Sequence, residues 1–182
     1  LGRQDRMLVV GAEDGNDDCI LPFAGMRALS VNPDPDTASR PFDRNRDGFV
    51  GAGGAAALVL EERSVAQNRN APVYGRILGW GQTSDGYNAV LPEPEGKGLL
   101  RAMEIAHAPS TPFGDLAEIR ALKRVFGANG SPAVSSTKAL HGHGLSMGSA
   151  LEAAITLLAI KEGIRPGSAH LEAPEEEANG LH

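Results

Sequence analysis

The residue types that can do chemistry gather in two short stretches. Ser135-Ser136-Thr137-Lys138-Ala139-Leu140-His141-Gly142-His143-Gly144 places a lysine and two histidines within six residues, and His107 precedes Asp115 by eight. Imidazole N–H groups and an ammonium in a dry pocket can hold a developing oxyanion, while imidazole can also move protons. Two readings of these residues stand side by side: an oxyanion-stabilising set, or a helix-capping His143 with Lys138 as a surface charge. His141 packs or hydrogen-bonds beside them, and His170 and His182, in polar tail sequence, carry no role.

A third stretch offers metal-ligand spacing. Asp43-x-Asn45-x-Asp47-Gly48-x-Val50 matches the opening of an EF-hand loop. The twelfth position, which needs a bidentate Glu, is Gly54, and Ser39-Arg40-Pro41 stands where a helix should enter. Calcium binding is therefore the weaker reading.

The elements that must position these residues follow from patterning. Met7 to Ala12 is a continuous apolar run ending in small residues, the mark of a parallel strand buried on both faces. Cys19 to Leu29 reads as a short helix or turn, weakened by Pro22 and Gly25. Val31 to Asp47, with three prolines and few aliphatics, reads as a surface loop. Ala55 to Leu60 is a second buried strand, and the alternation over Val73 to Gly81 predicts a long third one, followed by a loop from Ser84 to Pro94. Gly96 to Ile105 and Asp115 to Phe126 read as helices, the latter from its acidic first turn and the Gly127 that ends it. Leu145 to Ile160 is apolar on nearly all faces, broken chiefly by Glu152 and Thr156, which predicts a buried helix whose N-terminus follows His143 and favours negative charge. Glu172 to Glu177 reads as a solvated acidic tail.

Composition narrows the classes. The chain has 182 residues, 41% of them hydrophobic, enough for one sizeable core, and 17 Lys and Arg against 23 Asp and Glu give a net charge of −6. A nucleic-acid partner is not expected, since no basic block or aromatic platform stands out. No apolar run reaches the roughly 20 residues a membrane helix needs, and no secretory apolar region opens the sequence. The single cysteine, Cys19, leaves no internal disulfide framework and points to the cytoplasm. With 23 glycines and 4% aromatics, packing by small residues in sheet and helix layers is expected.

Three islands in one order resemble the β-ketoacyl synthases, the condensing enzymes of fatty acid and polyketide assembly. Arg40 to Val50 resembles their Arg-Pro-Phe-Asp-x-x-Arg-Asp-Gly-Phe-Val, Ser136 to His143 their Ser-Thr-Lys-x-x-x-Gly-His, and His107 to Asp115 their His-Gly-Thr-x-Thr-Pro-x-x-Asp. The departures are Gly53 where an acidic residue is usual, Ala108-Pro109 for Gly-Thr, and His141 where Thr or a small residue is commoner.

The resemblance implies an α/β chain of the thiolase-like fold, layered α/β/α/β/α, with residues 1–60 ending its first half and 61–182 forming most of the second. It implies a β-ketoacyl-acyl-carrier-protein synthase that condenses an acyl thioester with a malonyl-carrier thioester by decarboxylative Claisen chemistry. His107 and His143 would stabilise the enolate and Lys138 would position them. Glu118 would anchor Lys138, and Thr111 and Asp115 would support the loop. No cofactor is implied, the phosphopantetheine arm arriving on the acyl carrier protein, and the partner subunit would be an identical or a related ketosynthase-like chain.

The nucleophilic cysteine of such enzymes is not found here, because Cys19 follows two carboxylates that oppose a thiolate. Between Ile105 and His107 the flanks abut where relatives carry a strand and its connection, at least about a dozen residues by crossover geometry. The expectation is therefore a fragment, or joined pieces of a longer chain, that does not fold alone. A noncatalytic partner subunit of the chain-length-factor type is the alternative.

Overall fold

The computed structural model describes residues 4–77, 82, 84, 86–88, 91–97, 110–127 and 133–180. Two strands, β1 (Arg6–Glu13) and β2 (Gly54–Glu61), pair antiparallel in the register Arg6 with Glu61 through Glu13 with Gly54. Both apolar runs form strands, but the parallel, doubly buried placement expected for Met7 to Ala12 is corrected. β1 pairs antiparallel, and Leu8 and Val10 are 65% and 59% exposed. Their one covered side meets the helix α6 (Leu145–Glu162), against which Gly11 is buried.

Between the strands the chain forms α1 (Asp17–Gly25), whose Asn16 side chain caps the Cys19 N–H, and the single turn α2 (Pro35–Ala38), capped by Asp34. After β2 comes α3 (Arg63–Asn68), opened by Glu62. Val73 to Ile77 makes no ladder among the described residues, so the strand expected over Val73 to Gly81 is not formed in its described part. Most of the helix expected over Gly96 to Ile105 lies outside the described residues, as does His107.

The second half is built on α4 (Pro112–Phe126), the one-turn α5 (Lys138–His141) and α6. Thr111 accepts from the Gly114 N–H, Pro112 occupies the first turn and Gly127 ends α4 at φ 73°, so start and stop follow from local chemistry. The inner face of α4 carries Ile119, which packs on Phe42 with Val134, Leu171 and Ala178 around them. Of α6, only Met147 and Gly148 are buried, whereas Leu158 and Ile160 are 53% and 64% exposed. The helix forms as expected, but its all-round apolar surface is not covered by the described residues.

Candidate active site

The loop from Ser39 to Ala52 is the hub that joins the other two islands. The Ser39 hydroxyl donates to the Lys138 carbonyl at 3.0 Å, and the Arg40 N–H donates to Ser110 Oγ at 3.1 Å. Asp115, fully buried, accepts from the N–H groups of Phe42 (2.8 Å) and Ser110 (3.1 Å). Those two residues have φ of 65° and 74°, left-handed values that a side chain resists, and one carboxylate holds both. Burial pushes Asp115 up to about 6, against the downward pull of those N–H groups and of Arg46.

At its far end the same loop receives His143. Gly51 and His143 form a parallel bridge, with the His143 N–H on the Val50 carbonyl at 2.6 Å and the Ala52 N–H on the His143 carbonyl at 3.1 Å. The Phe49 ring meets the His143 ring edge to face at 5.0 Å. Gly142, at φ 73°, makes this approach feasible, since a Cβ there would lie 2.8 Å from Ala52 Cβ and 2.9 Å from the Val50 oxygen.

His143 is buried, and burial, together with Lys138 and His141, pushes its imidazolium down to about 4, with Glu13 pulling weakly the other way. It is thus an uncharged donor and acceptor at neutral pH. Lys138, 1% exposed, opens α5 and reaches the Glu152 carboxylate on α6, a partner the sequence reading did not name. Its signal was present in the sequence as the one carboxylate between Leu145 and Ile160, a run apolar on nearly all faces. Glu118, the anchor expected for Lys138, is buried on α4 and lines with Glu152 a groove of about 930 Å³ between α4 and α6.

The N-terminus of α6, expected to face developing negative charge, is occupied from β1. Glu13 accepts from the Ser146 N–H at 3.0 Å and from its hydroxyl, whose hydrogen bonds hold the Glu13 carboxyl below its ordinary range. The acidic tail is likewise not solvated. Asp43 accepts from the N–H groups of Glu172 and Ala173, and Arg46 and Arg120 pair with Glu175 and Glu177. Burial raises Asp43, but the N–H groups of Ala173, Asn45 and Glu172 outweigh it and keep the carboxyl below its usual value. Asp47 accepts from Ser30 Oγ and the Val31 N–H. The carboxylates of the EF-hand-like stretch are thus spent on the fold. Among the described residues no group of three or more metal-ligating side chains gathers, and no helix is long and apolar enough to cross a membrane.

Residues 1–66 match the β-ketoacyl synthase N-terminal domain and residues 105–172 the β-ketoacyl synthase C-terminal domain. The chain belongs to the β-ketoacyl synthase family. A 3-oxoacyl-[acyl-carrier-protein] synthase 1 of Haemophilus influenzae is 42% identical over 197 residues, covering 100% of this chain and 48% of the relative. A 3-oxoacyl-[acyl-carrier-protein] synthase 2 of Coxiella burnetii is 42% identical over 85% of this chain and 42% of the relative. A β-ketoacyl synthase from Burkholderia phymatum superposes with a TM-score of 0.90 at 34% identity, over 99% of this chain and 47% of that one. The α/β thiolase-like fold is therefore that of these ketosynthases, and the chain spans about half the length of the relatives it matches.

Proposed function

We propose that this chain supplies the enolate-stabilising part of a β-ketoacyl-acyl-carrier-protein synthase, an acyltransferase of fatty acid or polyketide synthesis. The observation that carries the reading is a buried, uncharged His143 fixed through its backbone to the Val50–Ala52 segment, with the buried Lys138 five residues before it. When a malonyl thioester loses carbon dioxide, the electrons of the breaking C–C bond pass to the thioester and leave an enolate oxygen. A preorganised neutral N–H donor lowers that barrier without giving its proton away. The enolate carbon then attacks an acyl thioester carbonyl, forming the new C–C bond and expelling the thiolate that carried the acyl group.

His107 is assigned the second donor from its place in the family motif. Lys138 keeps a positive field at His143, and Glu152 balances that charge. The substrate's phosphopantetheine arm is carried by acyl carrier protein, and the reading needs no resident cofactor or metal. It places the protein in the cytoplasm, paired with an identical or related ketosynthase-like subunit. One structural neighbour, with a TM-score of 0.90 at 27% identity, is described as a type II acyl-carrier protein in complex with its ketosynthase, which supports the carrier as partner.

The test is release of carbon dioxide from malonyl-carrier protein by the full protein. Wild type is expected to release it, and His143→Ala to lose about 100-fold or more, the scale of a removed oxyanion donor. A noncatalytic partner subunit is the second reading, favoured by Ala108-Pro109 and by the likeness to the ishigamide ketosynthase/chain length factor, TM-score 0.87. Wild type that releases no carbon dioxide and takes up no cerulenin, an alkylator of the synthase cysteine, would establish that reading instead.

A further inference from the structure

Between Lys138 and His143 lies a second imidazole that the condensation leaves without a task. His141 closes α5, with its Nε2 standing 2.9 Å from Thr137 Oγ1. Its Nδ1 is buried with no hydrogen-bond partner among the described residues. A neutral imidazole has one N–H to place, and a buried unpaired donor is costly. The proton therefore belongs on Nε2, donating to the threonine. Thr137 fits the arrangement from its own side: it stands at the N-cap of α5, yet its hydroxyl caps no backbone N–H.

This side-chain bond spans the turn in parallel with two main-chain ones, Leu140 N–H to the Thr137 carbonyl and Gly142 N–H to the Lys138 carbonyl, both 2.9 Å. Beyond the turn there is no slack. Gly142 lies against Ala52 and Val50, and the His143 N–H is already bonded to Val50. Any loosening of α5 must therefore move the start of the turn, where Lys138 leaves, or its end, where His143 arrives.

We propose that His141 is a positioning residue: tied to Thr137, its ring locks the one-turn helix that holds Lys138 at one end and aims His143 from the other. The inference rests on the reading of His143 given above. Lys138, His141 and Glu13 are among the ionisable groups acting on His143. Glutamine at 141 places an amide N–H near the position of Nε2 without the ring.

The experiment compares Thr137→Val, His141→Ala, their double variant and His141→Gln in the full protein. Its readouts are carbon dioxide release from malonyl-carrier protein and the ¹⁵N ring signals of His143. Each single variant is expected to slow release about tenfold, the scale of one lost hydrogen bond. The double variant should be no slower than the worse single one, because both remove the same bond. His141→Gln should restore most of the rate, and the His143 signals should move alike in the Val and Ala variants but not in Gln. Losses that multiply in the double variant, or single variants with unaltered rate and His143 signals, would overturn the proposal. Should wild type release no carbon dioxide, the proposed function fails while the His143 signals still decide this inference: a shared shift in Thr137→Val and His141→Ala upholds it, and no shift refutes it.

Discussion

Lys138 is 1% exposed, and the Glu152 carboxylate that meets it is held on a different element. Removing Glu152 takes a carboxylate from a buried ammonium, a cost of about 3 kcal/mol. Glu152→Ala should therefore lower the unfolding free energy by about that amount, read as a lower denaturation midpoint, and Lys138→Met should relieve part of the loss when added to it. Strictly additive losses would mean the two side chains are not coupled. His143 and Asp115 make opposite contributions with pH. An unfolded histidine takes up its proton below 6.5, but His143 waits until about 4, so the native state binds fewer protons in that window. Stability from His143 is complete above 6.5 and falls as pH drops, by roughly 3 kcal/mol in full. Asp115 sits at about 6 against an ordinary 3.8, so the native state binds more protons and stability rises as pH falls from 6 towards 4. The two slopes offset each other in wild type. His143→Asn should gain stability relative to wild type on acidification from pH 6 to 4, and Asp115→Asn should lose it, as urea midpoints across that range would show. Variants that share the wild-type slope would refute the assignment.

β1 and α6 meet at Gly11, where a Cβ would lie 2.7 Å from Ala150 Cβ and 3.2 Å from the Met147 backbone. The backbone atoms cannot give way, so Gly11→Ala should cost about 1–3 kcal/mol by overpacking. Adding Ala150→Gly should recover only the part due to that methyl, and a neutral Gly11→Ala in thermal melts would show the contact to be looser than it stands. This contact also explains which elements could be read from sequence. α4 was legible because Thr111, Pro112, Asp115 and Gly127 specify its ends locally, and both strands were legible as apolar runs. Strand direction was not, since it depends on the partner, and here β2 returns antiparallel. Alternation named a strand at Val73 to Ile77, but a period of two does not supply a partner, and no ladder forms there among the described residues. For α6, apolar periodicity identified the helix but not its surroundings. Glu152 interrupts that run, yet its role appears only once the Gly142 turn carries α5 back beside α6.

Across the whole molecule, two of the three islands and the tail are held by one guanidinium. Arg46 donates to the carbonyls of Asp43, Thr111 and Pro112 and to the Glu175 carboxylate, and lies 3.5 Å from Asp115. Segments more than 60 residues apart in sequence thus converge on a side chain that is 2% exposed. No pattern of residues signals this clasp, because Glu172 to Glu177 reads as a solvated acidic run unless its partners are known. Lysine cannot replace arginine here: it retains the charge but offers a single nitrogen where three diverging ones are in use. Arg46→Lys should cost roughly 3 kcal/mol through the broken buried pair and unpaired carbonyls. The loss should appear first in the tail, whose amides at Glu172, Ala173 and Glu175 bond to Asp43 and to the Phe42 carbonyl. Hydrogen exchange at those three amides should accelerate in Arg46→Lys while the β1–β2 ladder keeps its protection, since the bonds of Arg46 run to the loop, α4 and the tail rather than to those strands. Equal acceleration in both regions would show that the clasp is part of one cooperative unit rather than a local lock on the tail.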